Sequence, residues 1–82
     1  MLQVELVSPE KKVWSGEAVS VSARTLDGDL GILTDHAPLL GVLVDGKVVI
    51  KGTDGTTSEF NVAGGFLSVS NNRVSILAEA TN

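Results

Sequence analysis

Hydrophobic residues recur at every second position along most of the chain. Leu2, Val4 and Leu6 alternate with Gln3 and Glu5, and Val19, Val21 and Ala23 alternate with Ser20, Ser22 and Arg24. Val48 and Ile50 stand between Lys47 and Lys51, and Phe60 and Val62 alternate with Glu59 and Asn61. Near the end, Val74, Ile76 and Ala78 alternate with Arg73, Ser75 and Leu77. A period of two gives each run one apolar face for a core and one mixed face for solvent, as a half-buried strand requires. The β-branched residues that fill these runs suit a pleated surface. Asp-Gly occurs at 27–28, 45–46 and 54–55, and Asn71-Asn72 separates two strand-like runs. These residues tolerate the positive φ of tight hairpin turns. Turns at this spacing, with no helical stretch between them, predict an all-β fold: an antiparallel β-sandwich or barrel.

One segment breaks the alternation. From Ala37 to Val44 the chain reads Ala-Pro-Leu-Leu-Gly-Val-Leu-Val without a charge. Such a run is either a strand buried on both faces or a strand whose second face another protein covers. A core as small as this chain allows favours the second reading, because apolar patches on small soluble proteins mark partner sites.

With 82 residues the chain is read as a single β-sandwich domain over residues 1–82. A chain of this size buries roughly 60–65% of its unfolded surface, which supports one modest core. An apolar content of 43% is too high for disorder. The net charge is −4, and its six Lys and Arg are scattered, with only Lys11 and Lys12 adjacent. No basic stripe can be built for nucleic acid or for anionic lipid, so neither is expected as a partner. No Cys is present, which removes thiolate metal sites, disulfides and thiol nucleophiles. No apolar run approaches the ~20 residues of a spanning helix, and alternation begins directly after Met1. A protein of the cytosol that does not insert into the membrane is expected.

Candidate chemistry is sparse. His36, the lone histidine, follows Asp35, but no nucleophile motif accompanies it, and an imidazole in the turn before Pro38 or at an interface is the plainer reading. Asp27-Gly28-Asp29 opens like a calcium loop, yet Ile32 and Pro38 stand where such a loop needs Gly and Glu. Gly64-Gly65 is neither a phosphate cradle nor a dinucleotide fingerprint, and predicts a bulge or a close backbone approach. Trp14 is assigned to the core or to a cover over it. No enzyme activity, cofactor, metal or small-molecule substrate is expected. One alternative of another class is a lipoyl or biotinyl carrier, with Lys47 of Asp45-Gly46-Lys47 as the modified residue, although Lys47 fits the opening of a strand better than a turn. A generic adhesion sandwich comes third.

The segment Gly28-Asp-Leu-Gly-Ile-Leu-Thr-Asp-His-Ala-Pro-Leu-Leu40 resembles the signature of the epsilon subunit of F-type ATP synthases. Two further stretches, Val62-Ala-Gly-Gly-Phe-Leu-Ser-Val69 and Asn72-Arg-Val-Ser-Ile-Leu-Ala-Glu79, are similar to later strands of that family. Ser8-Pro9-Glu10 and Trp14-Ser15-Gly16 also fall where the family carries a Ser and an aromatic-Ser-Gly. Separated matches in one register over nearly the whole chain are far more specific than any one of them.

The resemblance implies a flattened antiparallel β-sandwich, the N-terminal domain of that subunit. It would be a non-catalytic part of the central stalk, linking the gamma subunit to the membrane c-ring and supporting the coupling of proton transport to ATP synthesis. It also implies a peripheral location on the cytoplasmic face of the cell membrane. Carried over by position, Asp29 meets the c-ring loops, while Ser8, His36, Leu39, Leu40, Gly41 and Val42 face gamma. Thr34-Asp35 replaces the family's usual Pro-Gly, and Asp29 replaces the commoner Glu, one methylene longer. The family's C-terminal helical hairpin, which can act as a brake on ATP hydrolysis, is absent from these residues.

Overall fold

The computed structural model describes residues 1–79 and 81. Among these, six strands and no helix are found: β1 (Leu2–Val7), β2 (Lys12–Thr25), β3 (Gly28–Leu33), β4 (Leu39–Gly52), β5 (Thr57–Ser70) and β6 (Arg73–Ala78). They hydrogen-bond in the order β1-β6-β5-β4-β2-β3, and β1 pairs back onto β2. The sheet therefore closes on itself as a barrel-like sandwich with β3 flanking β2, which removes most exposed strand edges. The pairs are antiparallel except β1–β6, which is parallel. Extents of 26 × 24 × 17 Å give the expected flattened shape.

Each of the three 14-residue strands turns a corner near its middle. In β4 the inward side chains are Leu43 and then Val48 and Ile50, so the inward phase shifts from odd to even positions. In β5 the shift runs from Val62 through Gly64-Gly65 to Leu67 and Val69, and in β2 from Ala18 to Val21 and Ala23. Strands that pass between the two layers of a sandwich need this change of phase, made by a bulge or bend.

Two sequence expectations are corrected by the corner. Asp45-Gly46 is not a turn but lies within β4, opposite Ala63 and Val62, where Gly46 leaves room for Arg24. Val19 does not share the inward face of Val21 and Ala23. A register shift between Ala18 and Ser20 turns it outward, and Ala18 is buried instead.

The other turns follow the sequence. Leu26-Asp27 joins β2 to β3, with Thr25 Oγ1 donating to the carbonyl of Gly28 and accepting from the amide of Asp27. Asn71 and Asn72, at φ of 50° and 61°, close the β5–β6 hairpin as a two-residue turn with both residues left-handed. Asp54 accepts from the amide of Thr56 in the β4–β5 turn, and hydrogen bonds from Thr56 hold its carboxyl below the ordinary value. Trp14 is half-buried, its ring over Gly16 and against the core. The core itself joins Leu2, Leu6, Ile50, Leu67 and Ile76, each fully buried and each contributing about 1.5–3 kcal/mol of burial.

Gly64-Gly65 is the close backbone approach that the sequence suggests. A Cβ on Gly65 would lie 2.0 Å from the carbonyl oxygen of Leu77, and its φ is 131°. Gly65→Ala is therefore expected to cost at least ~3 kcal/mol in urea unfolding, or to prevent folding. Gly31→Ala, where a Cβ meets nothing within 4 Å, should stay within ~0.5 kcal/mol of the parent. Equal effects at the two positions would remove Gly65 from its role in closure.

Candidate functional site

Beyond the corner, the second half of β5 and the first half of β4 turn their odd positions inward, so even positions face out. The pairing places Val42 beside Phe66, Phe66 beside Leu77, and Leu77 beside Val7. Cross-strand partners share a face, so these four residues form one row across β4, β5, β6 and β1. Leu40, two residues before Val42, stands on the same face beside Ser68. Leu40 is 71% exposed, Leu77 56%, Phe66 51% and Val42 41%. The rest of the face is polar, with Ser68, Ser70 and Ser75 and, toward the Asn71-Asn72 turn, Glu5, Gln3 and Arg73. Large apolar side chains aligned this way on the outside of a closed sheet mark an interaction surface.

The site residues expected from sequence fall around this face. Leu40 and Val42 are exposed on it, as the apolar run suggested. Leu39 differs, being half-buried and packed on the core, and Gly41 is half-buried with space beside Thr25. Ser8 follows β1 at one end. It accepts from the Lys11 amide through Oγ and donates back to the Lys11 carbonyl, so its hydroxyl is occupied in shaping the β1–β2 turn. His36 sits at the other end, half-exposed, with Nδ1 2.7 Å from the carbonyl oxygen of Ala37. Asn72, just before β6, and Leu77, near its far end, are five residues and so roughly 16 Å apart along the strand.

Asp29 is elsewhere, on β3 beside the β2–β3 turn. Its carboxylate lies 3.1 Å from Arg24 Nε in an exposed ion pair. A shallow groove joins Asp29 to Leu39, Leu40 and Gly41, so the acidic turn and the apolar face meet along one rim. A second groove of about 300 Å³, almost wholly apolar, lies among Val7, Pro9, Phe66 and Leu77.

Phe66, Leu77 and Val7 are absent from the residues singled out by sequence. A signal was present, since Leu77 and Phe66 are large apolar residues at outward positions of alternating runs. Reading Phe66 as outward required knowing that the phase changes at Gly64-Gly65. Lys47 lies mid-strand in β4, opposite Asn61 and paired with Glu59 at 3.2 Å. A carrier lysine must project from a turn, so the carrier reading has no support. No cluster of potential metal ligands occurs among the described residues.

Comparison with known proteins adds a direct line of descent. A family model described as the β-sandwich domain of the ATP synthase delta/epsilon chain matches residues 1–82. The ATP synthase epsilon chain of Streptomyces avermitilis is 53% identical over 78 residues, covering 95% of this chain and 63% of that protein. Those of Micrococcus luteus and Frankia casuarinae are 53% and 54% identical, and the chain covers 85% and 92% of their lengths. Among solved structures, a chain of the Euglena gracilis mitochondrial ATP synthase (OSCP/F1/c-ring) superposes with a TM-score of 0.92 at 20% identity, covering 99% of this chain and 52% of that one. A chain of the Tetrahymena thermophila central stalk and c-ring gives 0.86 at 23%, with 99% and 65% covered. At those identities the structural likeness establishes the shared fold.

The exposed row and the core should respond oppositely to charge. Leu40→Asp and Phe66→Asp are expected to leave thermal stability within ~1 kcal/mol, as surface changes do. Leu43→Asp and Leu67→Asp, buried in the same strands, should unfold the chain. Thermal melts of the four variants decide, and unfolding by Leu40→Asp or Phe66→Asp would make the row part of the core.

Proposed function

The chain belongs to the β-sandwich family of ATP synthase delta and epsilon chains, and from that premise we propose that it serves as a central-stalk element of an F-type ATP synthase. In this reading it catalyses nothing. It ties the gamma subunit to the c-ring at the cytoplasmic face of the membrane, as a peripheral component, and so supports coupling of proton flow to ATP synthesis. The observation that carries the proposal is the exposed row Val7-Leu77-Phe66-Val42 with Leu40 beside it. A rotor part must move rigidly with its neighbour, which calls for a broad, water-excluding contact rather than a few screened charges. The row supplies that contact for gamma, with Ser8 next to its Val7 end and His36 a strand's length away near the Asn72 turn.

Asp29 suits the second attachment. It stands at the tip-side end of β3 on an exposed acidic turn, available to basic loops of the c-ring. Its ion pair with Arg24 tempers the charge it presents, so its contribution is a steering and rim interaction, screened by salt.

The test is reconstitution with the cognate gamma subunit and c-ring. The parent chain should co-purify with gamma, and Phe66→Asp should weaken that binding roughly thirty-fold or more, the effect of losing an interface anchor of ~2 kcal/mol. Wild-type gamma binding by Phe66→Asp would contradict the assigned face. Asp29→Lys should keep gamma binding but lower ATP-driven proton pumping, most at low salt. Pumping unchanged at low salt would remove Asp29 from the c-ring contact.

A further inference from the structure

Asn72 joins three parts of the fold that are distant in sequence. Its side-chain Oδ1 accepts from the amide of Asp35 at 2.7 Å, and its Nδ2 donates to Asp35 Oδ1 at 3.2 Å. Its backbone carbonyl accepts from the amide of Gln3 at 2.8 Å. Asp35 and Asn72 both have positive φ, 65° and 61°. The segment between β3 and β4, which carries His36 and delivers the chain into Leu39 and Leu40, is thus held to the β5–β6 turn by this reciprocal pair. Among the described residues, the segment's other polar side-chain contact is local, between His36 and its neighbour Ala37.

We infer that Asn72 is a positioning residue for partner binding, a clamp that holds the Asp35–Pro38 segment, which carries His36, in its docking conformation before the partner arrives. The inference rests on the stalk reading above and assigns the role to a residue that does not itself lie on the apolar row. An unclamped segment samples several conformations, and apparent affinity falls in proportion to the competent fraction. The clamp acts mainly through one bond. The shorter contact uses the Asp35 amide, which any residue tolerant of positive φ can supply, whereas the Asn72 amide group has no substitute in the turn.

Three variants separate clamp from turn. Asn72→Gly keeps the left-handed backbone and removes both side-chain bonds. Asn71→Gly makes the same change of residue type one position earlier, at φ 50°. Asp35→Gly keeps the amide donor and the positive φ. In the isolated chain, NMR relaxation should show fast motion of the amides of Asp35, His36 and Ala37 in Asn72→Gly alone. Gamma affinity should fall about tenfold in Asn72→Gly, mostly through a slower association rate, and stay within about threefold of the parent in the other two. A segment as ordered as in the parent, or a mobile segment with parental affinity, overturns the clamp while leaving the stalk reading intact. Failure of Asn72→Gly to fold would make Asn72 a determinant of the fold and likewise overturn it. If the parent itself does not bind gamma, the stalk reading falls and takes the clamp with it.

Discussion

β4 and β5 have to change layers side by side in the barrel, and the room for that change is set by the approach of Gly65 to the backbone of Leu77. A side chain at Gly65 would overlap the Leu77 carbonyl oxygen. With glycine there, β5 bends and β4 bends beside it at Asp45-Gly46, while β2 shifts register at two places of its own, between Ala18 and Ser20 and between Ser22 and Thr25. The bend lets one short chain enclose a core on all sides, so that Leu2, Ile50, Leu67 and Ile76 become fully buried with no helix to cover them. A chain with so few residues has no second core to fall back on.

The same bend decides what the outside looks like. Past Gly65 the outward positions of β5 become even, which turns Phe66 to solvent beside Val42 and Leu77. The surface assigned to gamma is thus a by-product of closure, held on strands rather than on loops. Strands give a rotor contact the rigidity that torque transmission demands. The more adaptable element, the segment after β3, borders this face and is tied down at Asp35 by Asn72. The acidic turn with Asp29 meets this face along one rim at Leu39, Leu40 and Gly41, so the two proposed attachments adjoin there.

Much of this was legible in the residues. Alternation marked β1 and β6 and stretches of β2, β4 and β5, though not β3, and Asn71-Asn72, Asp27-Gly28 and Asp54-Gly55 marked turns because their chemistry is local. Asp45-Gly46 misled for a physical reason: the same backbone freedom that makes a hairpin turn also permits a mid-strand bend, and only the partner strand decides between them. Val19 misled because a bulge shifts phase without leaving a mark in composition. Phe66 and Leu77 escaped notice as site residues because their direction depends on a phase change that long-range pairing imposes. The exposure of Leu40 and Val42 was readable because an apolar run exceeds what one face can bury, whereas Leu39, in the same run, belongs to the core.

The most direct measurement is radical footprinting of the assembled complex against the isolated chain. Phe66, Leu77 and Leu40 should lose most of their oxidation when gamma is bound, while Leu26 and Leu33, exposed on other parts of the surface, report the background. Undiminished oxidation of Phe66 and Leu77 in a complex that has bound gamma would place the contact elsewhere and contradict the proposed face.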